Sequence, residues 1–180
     1  GLFAKRMFYE DSACVPMLLV GTKGDTRVKP GSTDDRLVGL QDCMPTLLDL
    51  CGLEIPESVD GLSMVAGQQR EHLYGEYGEG FETTRMLHNR RYKLIYYAAG
   101  NRFQLFDLDT DPQELTDLIE SPEHQNNREE LTALLLQELY GADLELVTDG
   151  QLIGLSHPPA EWPDRNLSLQ RGTHWPVPKQ

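Results

Sequence analysis

The spacing of apolar residues changes several times along the chain, and each change marks an element. Val15-Pro16-Met17-Leu18-Leu19-Val20 is a continuous apolar run closed by Gly21, the pattern of a strand buried on both faces of an α/β sheet. Residues 22–35 are dense in Gly, Pro and charge and read as a surface loop. Met44, Leu47, Leu48 and Cys51 then recur at i, i+3, i+4, i+7, with Asp42 as N-cap, Pro45 in the first turn and Gly52 as the stop. This spacing predicts a short amphipathic helix docked on that sheet. Pro, Gly and acidic residues from 54 to 69 predict a connection over the surface.

Short β-like segments follow at His72-Leu73-Tyr74 and Arg85-Met86-Leu87. Tyr92-Lys93-Leu94-Ile95-Tyr96-Tyr97 and Phe103-Gln104-Leu105-Phe106-Asp107-Leu108, joined by a loop with Gly100 and Asn101, predict an antiparallel hairpin that Asp111-Pro112 ends. Residues 127–140 place Leu131, Leu134, Leu135 and Leu139 on one face behind Arg128, Glu129 and Glu130, predicting a longer helix over one face of the small sheet. Beyond Asp143 the periodicity fades. His157-Pro158-Pro159, Trp162-Pro163 and Trp175-Pro176-Val177-Pro178 predict an extended tail whose aromatic residues anchor it to a surface.

Composition narrows the function classes. No apolar run in the 180 residues approaches the roughly 20 needed to cross a bilayer, which excludes a helical membrane span. The formal charge of -13 is concentrated after residue 70, where 19 acidic side chains face 9 basic ones; a phosphate backbone would be repelled, so nucleic acid is excluded as a partner. Gly1-Leu2-Phe3-Ala4-Lys5-Arg6 has neither an initiator Met nor an apolar signal core and reads as the interior of a longer sequence. Cys14, Cys43 and Cys51 cannot all pair, and Cys43 and Cys51 stand roughly 12 Å apart along the predicted helix, too far for a disulfide. That usage points to a soluble protein of a reducing compartment, with the cytoplasm favoured.

Candidate chemistry read from spacing alone is sparse. Asp107, Asp109 and Asp111 begin like a calcium loop, but Pro112 occupies the sixth position, where Gly is needed, and Leu118 the twelfth, where a bidentate Glu belongs; a capped turn fits better. His72, His88, His124, His157 and His174 are scattered and include no pair at the i, i+4 spacing of a helical zinc site. Ser12 has no nearby His and Asp, and Asp49 is expected to face solvent on its helix.

Four blocks of residues carry a resemblance. The segment from Gly1 through Lys5, Tyr9, Glu10 and Ser12, followed by Val15-Pro16, resembles the sulfatase segment in which a lysine precedes a Tyr-Glu pair and an Arg-Val-Pro strand. Asp42-Cys43-Met44-Pro45-Thr46-Leu47-Leu48 resembles that family's Asp-x-x-Pro-Thr-Leu-Leu helix, and Asp60-Gly61-Leu62-Ser63 its Asp-Gly-x-Ser turn. Tyr92-Lys93-Leu94-Ile95, Gln104-Leu105-Phe106-Asp107-Leu108 and Asp111-Pro112-Gln113-Glu114 together resemble the C-terminal hairpin of sulfatases.

The resemblance covers about residues 1–140 and implies an α/β (α+β) fold: the C-terminal part of an arylsulfatase-like, alkaline-phosphatase-like fold, ending in a small antiparallel sheet packed with a long helix. It implies the end of the catalytic α/β domain at 1–70, a C-terminal antiparallel-sheet subdomain with its helix at 71–142, and an extended tail at 143–180.

In the family a cysteine or serine oxidised to formylglycine attacks sulfur while a divalent cation, calcium or magnesium, neutralises the sulfate oxygens. Neither cofactor is expected in this stretch. The Cys/Ser-x-Pro-x-Arg motif is missing, since even Cys43-Met44-Pro45-Thr46-Leu47 has Leu at the fifth place. By position Lys5 matches the family lysine that contacts sulfate, and a compact ammonium with three donors suits that role. Cys14 stands where the family has Arg before Val-Pro, and a thiol cannot replace guanidinium pairing. Glu76, Tyr77, Glu79 and Arg85 precede the C-terminal strands, where the family places substrate-contacting loops, which makes Glu76, Tyr77 and Arg85 candidates for a substrate rim.

Three readings follow. The chain is a fragment of a hydrolase of sulfate esters, acting on a small molecule or a glycan in the complete protein and inactive alone. It belongs instead to a phosphonate or phosphodiester hydrolase of the same superfamily, or it is a non-catalytic binding or assembly module that uses its Trp-rich tail. A folded isolated chain is expected to form a homo-oligomer that covers the open edge of the strand at 15–20.

Overall fold

The computed structural model describes residues 7–156. A single helical turn, α1 (Glu10–Ala13), opens it, and a 3-10 turn at Leu40–Asp42 leads into α2 (Cys43–Leu50). Four strands follow: β1 (Leu73–Tyr77), β2 (Thr84–His88), β3 (Tyr92–Tyr97) and β4 (Arg102–Asp107). After them come α3 (Gln125–Glu138), a 3-10 turn at Gly141–Leu146 and a two-stranded ribbon, β5 (Val147–Thr148) with β6 (Gln151–Leu152).

β1 to β4 form an antiparallel meander in chain order. The registers Glu76 opposite Arg85, Leu87 opposite Leu94 and Leu94 opposite Leu105 align the apolar positions into rows. Alternation then sorts side chains to two faces. Leu87, Leu94, Tyr96 and Leu105 turn one way and meet Leu131, Leu135 and Leu139 of the α3 region in the main core. Met86, Ile95 and Phe106 turn the other way and form a second cluster with Phe8, Tyr9, Tyr97 and Leu108. Because both faces of β2 and β3 are covered, these strands are almost wholly buried and show no apolar–polar alternation; their buried polar residues, Arg85 and Lys93, need partners instead of water.

The turns are set by backbone geometry. Arg90 at φ 77° carries the β2–β3 turn, where Asn89 N–H reaches Tyr92 O, and Gly100 and Asn101 at φ 75° and 49° carry the β3–β4 turn. The outer edge of β4 is closed by Asp117, whose carboxylate accepts Leu105 N–H, and by Leu118, whose N–H donates to Leu105 O. Asp107 accepts the N–H of Asp109, and Asp111 accepts the N–H of Thr116, so this acidic stretch is a capped turn.

The helix at 42–52 and the turn at 60–63 are one hydrogen-bonded unit. Asp42, 1% exposed, accepts Gly39 N–H on one carboxylate oxygen and Leu62 N–H on the other, where Arg70 also donates. Asp42 thus stands at the N-cap position of α2 but makes no side-chain cap bond there; its carboxylate closes back on the N–H of Gly39, the N-cap of the 3-10 turn. Thr46 donates to Asp42 O and accepts Met64 N–H, while Ser63 donates to Asp49 at 2.6 Å, so Asp49 binds the turn instead of facing water. Gly61 lies so close to Gln41 O that a Cβ would meet it at 2.1 Å.

Two further expectations change. Residues 15–20 form no strand: they pair with no described strand, and Leu18 and Val20 are each 90% exposed. An apolar run specifies burial but supplies no ladder partner, and a strand buried on both faces needs one. The stretch from Asp143 to residue 156, expected to be extended tail, folds back as a turn and ribbon. Leu146 and Leu152 enter the main core, and Leu155 exchanges backbone hydrogen bonds with Ala98 and Gly100. The tail residues Trp162 and Trp175 lie outside the described residues.

The turn after α3 is held by an ion pair. Arg85 of β2, 5% exposed, donates from Nε and Nη2 to both oxygens of Asp143 at 2.5 and 2.7 Å, and from Nη1 to Tyr77 O and Thr84 O. Arg85→Ala leaves Asp143 buried and unpaired and is expected to cost about 3–5 kcal/mol in urea unfolding. The joint change Arg85→Met and Asp143→Leu should cost less; a double variant as unstable as the single one would show that apolar packing cannot take the pair's place.

Asp107, 3% exposed, holds Arg91 in a second pair, and the Arg91 hydrogen bonds keep its carboxyl below the usual carboxylate range. A folded value below the unfolded one gives stability that is complete above the unfolded value, about 3.9, and lost as pH falls through the folded value. Asp107→Asn is therefore expected to flatten the loss of urea stability below about pH 4; an unchanged slope would assign the acid limb to other carboxylates.

Candidate functional site

The most demanding group in the sheet is Lys93, the second residue of β3, on the face away from α3 and 1% exposed. A buried ammonium costs several kcal/mol unless its charge and all three donors are matched. Here they are. Nζ donates to Phe8 O at 2.9 Å, to Glu114 Oε1 at 2.9 Å and to Glu10 Oε1. The second oxygen of Glu114 accepts the N–H of Glu10 at 2.5 Å. Glu114 reaches this place from the turn after Asp111-Pro112 with φ +55°, a left-handed conformation uncommon for a residue with a side chain.

Residues 8–10 are thereby fastened to the sheet, and apolar contacts complete the seat. Phe8 and Tyr9 cover Met86, Ile95 and Phe106, with the Tyr9 ring edge-on to Phe106 at 5.9 Å. The hydroxyls of Tyr9 and Tyr97 both donate to Gln104 Oε1 at 2.8 Å, and burial, followed by that neighbouring phenol, pushes the Tyr97 hydroxyl far above its usual value. Gly75 of β1 leaves the space for Phe8, since a Cβ there would stand 2.8 Å from Phe8 Cε1. Lys5, three residues before Phe8, lies outside the described residues.

Glu76, Tyr77 and Arg85 come together at one end of β1 and β2. Arg85 is bound to Asp143 and to main-chain carbonyls, one of them that of Tyr77. Both oxygens of Glu76 accept the Tyr140 hydroxyl at 2.9 Å, which raises the Tyr140 phenol above its usual value. The cluster is thus already hydrogen-bonded within itself. An open groove of about 650 Å³ between the β3–β4 turn and α3, lined by Arg102, Phe103, Arg128 and Leu136, lies on the opposite face from residues 8–10.

The three described histidines also have local partners; His157 and His174 lie outside the described residues. His72 Nε2 is 2.7 Å from Glu138, His88 Nε2 is 3.0 Å from Arg90 O, and His124 stands edge-on to Tyr92. Among the described residues no group of three His, Cys, Asp or Glu side chains is placed to hold a metal ion, so they do not fit the family's divalent cation. Cys43 begins α2 and is half-buried, with Leu47 one turn later where the formylglycine motif requires Arg.

Spacing did not single out Lys93, Glu10 and Glu114 as a cluster, although each sits in a block that carried the resemblance. One signal was available: a lysine inside the apolar run Tyr92-Lys93-Leu94-Ile95 must be buried and so requires carboxylates from elsewhere in the chain.

The family model described as N-sulphoglucosamine sulphohydrolase, C-terminal, matches residues 1–140. An arylsulfatase of Clostridium perfringens is 33% identical over 162 residues, covering 87% of this chain and 34% of that protein. A choline-sulfatase of Rhizobium meliloti is 37% identical over 141 residues, covering 74% of this chain and 27% of that protein. The solved structure of a 2-O GAG sulfatase superposes with a TM-score of 0.54 at 27% identity, over 59% of this chain and 26% of that one. The chain thus spans about a third or less of the length of these relatives. It belongs to the sulfatase family represented by that C-terminal model, and its mixed helix-and-sheet architecture is that of the C-terminal part of the sulfatase fold.

Proposed function

We propose that this chain is the C-terminal part of a hydrolase of sulfate esters, in which Lys5 contacts the sulfate group. On this reading residues 1–70 complete the catalytic α/β domain, and the C-terminal subdomain runs from 71 through the ribbon that ends at Leu152. The observation that carries it is the family match across residues 1–140, which includes Lys5 four residues before Tyr9. Similarity to an arylsulfatase and a choline-sulfatase supports a sulfate ester as the substrate class.

The reaction cleaves the ester with water and releases an alcohol and sulfate. As the S–O bond breaks, its electron pair moves onto the leaving oxygen, and an ammonium already in place at the sulfate group stabilises that developing charge more than the ground state. In the family, formylglycine supplies the nucleophile and a divalent cation neutralises the sulfate. The residues described here fit neither, and no step through them is assigned to this chain.

The test measures phenol release by the complete protein from an aryl sulfate and from the matching aryl phosphonate monoester. Sulfate turnover should dominate, Lys5→Ala should lower kcat by about 10²- to 10³-fold, and the 180-residue chain alone should release no phenol. Preferential phosphonate turnover, or turnover by the chain alone, would overturn the proposal.

A further inference from the structure

We infer that the groove between the β3–β4 turn and α3 is a binding site for an acidic oligosaccharide, with Arg102 and Arg128 receiving its anionic groups and an apolar floor receiving its sugar rings. This goes beyond the reaction proposed above and does not depend on it.

In a chain of net charge -13 an arginine readily finds a carboxylate, and Arg27, Arg36, Arg70, Arg85 and Arg91 each hold one in an ion pair. Arg90 donates to the Gln69 amide. Arg102 and Arg128 pair with no carboxylate among the described residues, and both line the same groove. Arg128 is half-buried, and its Nη1 donates to Ile119 O at 3.2 Å. That bond uses one of the five donors of a guanidinium and holds the group in place. A guanidinium already oriented loses less side-chain freedom on meeting an anion, and its planar fork matches the paired oxygens of an acid group.

The floor is pre-formed. Phe103, Ile119 and Leu136 pack on the main core from outside and stay partly open, and the Tyr96 ring braces Phe103 at a centroid distance of 4.8 Å. The volume of about 650 Å³ falls within the roughly 300–1,000 Å³ range of small-molecule sites.

The mixed charge of the rim selects the ligand. Glu120 and Glu129 line the groove together with the arginines, and Glu129 accepts from Gln125 Nε2 at 2.8 Å. A ligand that carries only anionic groups is repelled by these carboxylates. A sugar offers them hydroxyl donors, offers the arginines its acid groups, and can lay the C–H face of its ring on the apolar floor. An acidic oligosaccharide unites these three chemistries in one molecule.

The test titrates the complete protein with a tetrasaccharide of uronic acid, a probe that carries carboxylates and no sulfate ester, so that binding is read apart from hydrolysis. Calorimetry should show saturable binding that weakens as salt is raised, and hydrogen exchange should slow at residues 100–105 and 119–136 when the probe is bound. Arg102→Ala and Arg128→Ala should each lower the affinity about tenfold, while Arg102→Lys should retain part of it. Arg102 is exposed, so its removal spares the fold. Ala133→Trp fills the groove from an exposed helix position without changing charge and should abolish binding. No binding, protection confined to other residues, or affinity unchanged by Arg102→Ala and Ala133→Trp would overturn the inference. A tetra-aspartate peptide that binds as tightly as the saccharide would overturn it too, by assigning the groove to acidic peptides. Each of these results leaves the outcome of Lys5→Ala and of aryl sulfate turnover open, so failure here is distinguishable from failure of the proposed function.

Discussion

An ammonium enclosed in a sheet must be met by acceptors on every donor, and around Lys93 that demand reaches across most of the chain. One acceptor comes 21 residues later in the sequence and two come from more than 80 residues earlier. To meet it, Glu114 takes a left-handed backbone conformation, β1 carries a glycine where Phe8 lies, and residues 8–10 are brought against the exit side of the hairpin. None of these features has an evident reason alone. Taken together they are what enclosing one charge requires.

The same logic applies, on a smaller scale, to the pairing of the helix at 42–52 with the turn at 60–63. A buried Asp42 obliges Gly39, Leu62 and Arg70 to supply donors, and Thr46 relays a hydrogen bond from Met64 to the helix backbone. Blocks that resemble family motifs thus meet one another in space. Asp42 and Thr46 meet the Asp-Gly-x-Ser turn, and Glu10 and Glu114 meet at the Lys93 ammonium. Their residue types are explained by mutual satisfaction of buried polar groups before any chemistry on a substrate is invoked.

Much of the fold was legible because periodicity speaks directly to burial. The β3–β4 hairpin, the leucine face of α3 and the helix at 43–50 stand close to where apolar spacing placed them. Residues 15–20 misled for the same reason: six apolar residues say that a segment prefers to be covered but not by what. The fold-back at 141–152 was illegible because a 3-10 turn and two-residue strands are too short to show a period. At the site, Arg85 was noticed for its position in the sequence, while its bond to Asp143 spans 58 residues and no local pattern announces it. Lys93 was quoted only as part of a motif, although its charge within an apolar strand was the stronger clue.

Two buried cations therefore stand on opposite faces of one small sheet and do different work. Arg85 faces α3 and is closed off by Asp143, by the Tyr77 carbonyl of β1 and by the Thr84 carbonyl of its own strand, so its bonds seal the turn after the helix to the sheet. Lys93 faces the other way, and two of its three bonds go to a segment outside the sheet. A fold that needed only cohesion could fill the second position with another leucine, because replacing a buried ion pair by apolar side chains is often neutral or stabilising. What leucine cannot supply is direction. The buried ammonium thus fixes the segment at 8–10 in direction as well as in contact on this face, whereas the α3 face is where the subdomain is closed.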